Sequence, residues 1–116
     1  MQRRYTFFML LRGTPLWRAL ELDEQHARHD ELLVRVFEAY PELSLRRFDS
    51  AAFASRCSDV LVWETSDVAQ YHDAIAALRD GGPLGPVWFE IVEVIPAVED
   101  HGRERDPLLP LWMSTV

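Results

Sequence analysis

The 116-residue chain contains no lysine, so all twelve of its basic side chains are arginine. They are scattered, and nineteen acidic residues bring the formal net charge to −7. No positive stripe is left to follow a phosphate backbone, which excludes nucleic acid as an expected partner. Cysteine is nearly absent too. The single Cys57 excludes an intramolecular disulfide and a cysteine-only metal cage, and a reducing cytoplasm is the expected location. No apolar run approaches the roughly 20 residues needed to span a bilayer, so no membrane association is expected. The opening MQRRYTFFMLLRGTPLW imitates a secretion signal, but its apolar part is short, stops at Arg12 and precedes no small-x-small cleavage site. Walker loops, dinucleotide glycine fingerprints and Ser-His-Asp spacings are also missing. Neither cofactor nor metal is expected.

What remains is an ordinary globular composition, 48% hydrophobic and 27% charged. The length suits one domain, residues 1–116, with a core over 5–96 and a tail over 97–116. The run YTFFMLL (5–11), closed by Gly13-Thr14-Pro15, reads as a buried strand. Over 22–40, Leu22, His29, Leu33, Val36, Phe37 and Tyr40 step by threes and fours, predicting a helix that Pro41 ends. LSLRRFDS (43–50) and SDVLVWET (58–65) alternate as strands. Ser66 or Asp67 caps a second helix with Val68, Tyr71, Ile75 and Leu78 on one face, and GPVWFEIVEVIP (85–96) is a fourth strand.

The order β-α-β-β-α-β predicts an α+β, ferredoxin-like fold with a four-stranded antiparallel sheet and both helices on one face. The other face is too apolar for water, so a homodimer is expected in which two sheets enclose a cavity, a dimeric α+β barrel. Strand alternation then sorts the side chains. The aliphatic sets, including Val60 and Val62, are assigned to the helices. The mixed sets are assigned to the bare face: Phe8, Arg12, Ser44, Arg46, Phe48, Asp59, Trp63, Trp88 and Glu90. A one-residue bulge would flip part of this assignment.

Two arginines, two carboxylates and two indoles on one face have two readings. Arg46–Asp59 and Arg12–Glu90 are structural ion pairs, as buried charges require. Alternatively they furnish a pocket for a small aromatic or acidic ligand. In the pocket, Arg46 or Arg12 holds an oxygen, Asp59 or Glu90 moves a proton, and Phe8, Phe48, Trp63 and Trp88 line the walls. His26 and His29, three apart, have the spacing of metal ligands but no third ligand, and surface histidines are the commoner case. Cys57 beside Arg56 lacks a neighbouring base. The apolar tail residues Leu108, Leu109, Leu111, Trp112 and Met113 are expected to pack on a partner subunit.

The segments YTFFMLLRGTPLW, SLRRFDSAAFASRCSDVLVWET, Tyr71, Leu78-Arg79 and WFEIVEVIPAVED resemble the darcynin family of small bacterial proteins, over roughly residues 5–100. The most specific parts are R-x-F-D-S and S-D-x-x-x-W-E-T. Arg46, Phe48, Asp49, Ser50, Asp59, Trp63, Glu64, Tyr71 and Glu90 match the family pattern. Arg47 departs from it, standing where an aromatic is usual, as does Leu84-Gly85 in place of a bulky pair. The resemblance implies a dimeric ferredoxin-like α+β barrel and implies no particular activity. The expectation from the residues is a cofactor-independent tailoring enzyme of cyclase, isomerase or oxygenase type, acting on an aromatic or polyketide-like metabolite. The alternatives are a non-catalytic binding protein and a filled dimer core.

Overall fold

The structure, a computed structural model, describes residues 3–99. Strand β1 (Tyr5–Gly13) is followed by a helical turn, α1 (Pro15–Arg18), and by helix α2 (Leu22–Ala39). Strands β2 (Leu43–Asp49) and β3 (Asp59–Thr65), helix α3 (Val68–Arg79) and strand β4 (Phe89–Val98) complete the chain. The strands form one antiparallel sheet in the order β2-β3-β1-β4. This is the expected α+β arrangement, with α1 as an addition. The expected packing of the apolar tail on a partner subunit concerns residues beyond Glu99, which lie outside the described residues.

Local chemistry explains the boundaries. Thr14 caps α1, its Oγ1 accepting from the Trp17 amide, and Pro15 occupies the first helical position where no amide is needed. Asp67 caps α3 by accepting from the Gln70 amide at 3.0 Å. At the far end of α3, Gly81 takes φ +71°, a conformation that side chains disfavour.

The core lies between the sheet and the helices. Phe7, Met9 and Leu11 of β1 join Leu61 and Trp63 of β3 and Phe89 of β4 on one side. Leu32 and Val36 of α2 meet them from above, as do Tyr71, Ala74 and Leu78 of α3. Tyr71 stacks on Phe7 with ring centroids 3.9 Å apart, and burial pushes its phenol up to about 12.

Three sequence expectations are corrected here. First, β3 faces the other way. The register pairs Trp63 with Phe7 and Leu45, and Asp59 with Leu11, so Asp59, Leu61 and Trp63 face the helices, while Val60, Val62 and Glu64 take the bare face. A buried indole removes roughly 150–250 Å² from water, more than a valine can. Val62 is still shielded, because Phe8 and Arg46 flank it across the sheet.

Second, β4 carries a bulge. Leu10 pairs with Glu93 but Leu11 with Ile91, leaving Val92 as the extra residue. Beyond it the faces exchange, so Val94 turns to the core and Ile95 to the bare face beside Phe8. Trp88 precedes the strand altogether. Third, α2 buries His29, Leu32 and Val36, and leaves Phe37 83% exposed. Its inward stripe is rotated from the one expected, because Leu32 rather than Leu33 continues the spacing of His29 and Val36.

Candidate functional site

A polar cluster is buried on the helix side, at the sheet end where β3 begins. Alternation along β2 puts Arg47 on the same side as Leu43 and Leu45, next to Asp59. Arg47 Nη2 donates to Asp59 Oδ1 at 2.7 Å, and the aspartate side chain is only 5% exposed. Ser58 Oγ donates to Oδ2 at 2.8 Å and itself accepts the Gly13 amide at 2.9 Å. The carboxylate is therefore held by one cation and one hydroxyl, the partners a buried charge requires. The anticipated Arg46–Asp59 pair does not form. Arg46 leaves the opposite side of β2 and comes within 4.0 Å of Glu64.

His29 of α2 completes the cluster, with Nε2 4.0 Å from Asp59 Oδ1. Neither ring nitrogen has a hydrogen-bond partner among the described residues. Trp17 lies edge-on to the imidazole at 4.9 Å and packs against Phe89 at 4.5 Å. This placement needs Gly13: a Cβ there would sit 2.6 Å from the Trp17 ring. Nearby, the Arg28 guanidinium lies 4.2 Å above Trp88.

Burial lowers the His29 imidazole from 6.5 to about 4, and the Arg47 cation adds to the effect. Asp59 and Asp30 oppose it, while His26 reinforces it. The ring is thus neutral at neutral pH. Since the folded value lies below the unfolded one, acidification protonates the unfolded chain first. The associated stability is complete above pH 6.5 and is lost as pH falls through 4, by up to about 3 kcal/mol. Urea midpoints measured from pH 7 to 4 should show this slope, and His29→Gln should flatten it. An unchanged slope in that variant would assign the effect to other groups.

The cluster opens onto a cleft of about 550 Å³ between α2 and β2. His26, His29, Asp30 and Leu33 of α2 line one side, and Leu45, Arg46, Arg47 and Phe48 of β2 line the other. This is the size and mixed lining of a small-molecule site. The Arg47 Nε–H is buried with no acceptor. Among the described residues no three His, Cys, Asp or Glu side chains are grouped to hold a metal ion, and no helix is long and apolar enough to cross a membrane.

The expected site residues therefore divide. Asp59 joins the cleft cluster, and Arg46 and Phe48 border it from the strand edge. Trp63 is wholly buried in the core, and Trp88 stacks under Arg28. Phe8, Arg12 and Glu90 stay on the bare face, where Arg12 Nη1 donates to Glu90 at 2.9 Å as anticipated. A second pair there joins Arg56 to Glu93. Sequence reasoning missed Arg47, Ser58 and the role of His29. The spacing of His29 with Leu32 and Val36 was a usable sign that this histidine points inward.

The Darcynin family model, described as a domain of unknown function, matches residues 1–107. A Darcynin from Chromobacterium violaceum is 45% identical over 74 residues, covering 64% of this chain and 94% of that protein. A Darcynin homolog from Streptomyces avermitilis is 32% identical over 111 residues, covering 95% and 91%. Among solved structures, a mutant chlorite dismutase from Candidatus Nitrospira defluvii superposes with a TM-score of 0.68 at 11% identity, over 87% of this chain. This chain spans 42% of that one. At such identity the likeness shows the fold alone.

Proposed function

We propose that this chain, which belongs to the darcynin family, is a cofactor-independent enzyme. Its substrate is a small aromatic or polyketide-like metabolite, and the reaction takes place in the cleft between α2 and β2. The observation that carries this reading is the neutral, nearly buried His29, unbonded at both nitrogens and facing that cleft beside the Arg47–Asp59 pair. The unbonded imidazole, packed edge-on against Trp17 and 4.0 Å from the Asp59 carboxylate, accepts a proton from substrate. Arg47 steadies the oxygen on which negative charge develops, using the donors that Asp59 leaves free. Leu33, Leu45 and Phe48 hold an aromatic ring. The chemistry is proton abstraction next to a carbonyl, the step shared by isomerases and cyclases.

The test is solvent exchange. Enolisable aryl ketones and β-keto acids are incubated with the protein in D₂O, and loss of the exchangeable proton signal is followed by NMR. Wild-type protein should accelerate exchange for at least one compound, and His29→Gln should slow it roughly a hundredfold or more. Full exchange in that variant would remove the proposed base. A pKa near 4 makes His29 a weak base, which favours a second reading as a non-catalytic binding protein. Under that reading, ligands shift the His29 resonances while no exchange is accelerated.

The homodimer belongs to the same proposal. Phe8, Phe48 and Ile95 are between 37% and 48% exposed, and Phe8 and Ile95 are neighbours across the bare face. Rows of charge there, Arg12–Glu90 and Arg56–Glu93, are suited to pairing with a second copy. A sedimentation experiment that finds only monomer at micromolar concentration would remove the barrel.

A further inference from the structure

Two hollows along strand β2 form one groove. The cleft at His29 is bounded in part by Leu33 of α2 and Leu45 of β2. The same two residues line a second hollow of about 770 Å³, which continues between α2 and β2 toward Val34, Phe37 and Leu43. Val36 and Leu43, which also line it, belong to the hydrophobic core, whereas Val34 and Phe37 are 52% and 83% exposed. Apolar side chains left so open beside core residues mark a binding surface. From Leu43 to Phe48 the strand rises about 17 Å, so the joined hollows suit an extended molecule rather than a compact one.

The two ends differ in chemistry. Around the second hollow, Glu38 is the single charged residue among the described lining. At the His29 end, Arg46 and Arg47 share the lining with Asp30. Arg47 is matched to Asp59, but Arg46 makes no hydrogen bond among the described residues. Its ion-pair partner Glu64 is 4.0 Å away, and its guanidinium lies 5.5 Å from the Phe48 ring. One end of the groove therefore offers a guanidinium fork to an anion, and the other takes hydrocarbon.

We propose that the substrate of this cleft is an extended carboxylic acid, its carboxylate held by Arg46 and its apolar tail laid past Leu33 and Leu45 to Phe37. This deepens the reading of the cleft as a site of proton abstraction and rests on it for the reacting end. In a β-keto acid the carbon that loses its proton lies between carboxylate and ketone. Fixing the carboxylate at Arg46 keeps that carbon at the polar end with His29, while the rest of the chain enters the apolar hollow. His29 takes the proton, and the C–H electron pair passes to the ketone oxygen as an enolate beside Arg47. A compact aromatic acid would leave the second hollow empty.

The experiment is calorimetric titration of the full-length protein with hexanoate, octanoate and decanoate, each below its micellar concentration, and with octanol. Affinity should rise by about tenfold or more from hexanoate to decanoate as methylenes leave water. Octanol should bind about tenfold more weakly than octanoate, because it lacks the anion. Arg46→Gln should weaken all three acids alike and leave octanol unchanged. Phe37→Asp and Val34→Asp, both at exposed positions, should remove the gain with chain length while hexanoate affinity holds and reports an intact fold. Affinity independent of length, a gain that survives both groove substitutions, or acids that ignore Arg46→Gln would overturn the proposal. So would a Phe37→Asp variant that alters only sedimentation, which would assign the groove to a second copy. Length-dependent binding without accelerated exchange would remove His29 as the base and leave the extended acid as ligand. Accelerated exchange without length dependence would keep the base and overturn the extended acid.

Discussion

Trp63→Ala is expected to lower the unfolding free energy by about 3–5 kcal/mol, the range for deleting a buried aromatic ring. Trp63 has no exposed surface. It lies between Phe7 and Leu45 across the sheet, and Tyr71 meets it edge-on at 5.9 Å. Alanine would leave a cavity at the centre of the core, where neighbours on three elements cannot all relax inward. Trp63→Phe should cost far less. Its ring preserves most of the contacts, and the indole Nε1–H that it removes is buried without an acceptor. Urea denaturation of both variants, with unchanged slope, would measure the difference. A loss under about 1 kcal/mol for Trp63→Ala would return the indole to a space between subunits, where alternation alone had placed it.

Asp59→Asn is expected to destabilise by about 3–5 kcal/mol, because it leaves the Arg47 guanidinium, 27% exposed, without its anion. Arg47→Met alone strands the carboxylate, which keeps only the Ser58 hydroxyl. The double variant should therefore be more stable than the sum of the two losses predicts, by more than about 1 kcal/mol. His29 supplies an independent readout. Asp59 raises its pKa against the stronger effects of burial and Arg47, so removing the carboxylate should move the imidazole further down, as read from its ring nitrogens by NMR. Additive losses and an unmoved His29 would mean the pair is solvated and no part of a shared site. The same variant should also lose the proposed exchange activity, and its pH-dependence separates that loss from simple unfolding.

Much of the fold was legible along the chain. Glycine and proline punctuation, the cap at Asp67 and two periodicities mark four strands and two main helices in the observed order. The Arg12–Glu90 pair was legible too, since both residues belong to the same alternating sets and their strands are adjacent. The candidate site was less so. Alternation divides β3 into Asp59, Leu61, Trp63 and Val60, Val62, Glu64, but both sets contain aliphatic residues, and nothing local says which set turns inward.

By itself, then, the sequence determined the elements, their order and the single antiparallel sheet, because periodicity and turn chemistry act over a few residues. Only the tertiary structure decided which face each side chain serves. Trp63 gains more by burial than the valines. The bulge at Val92 exchanges faces within β4. Asp59 is tolerable inside because Arg47, twelve positions away, and Ser58 are brought to its two oxygens. Those outcomes depend on competition among distant groups for one core. The His29 cleft exists only where that competition ends.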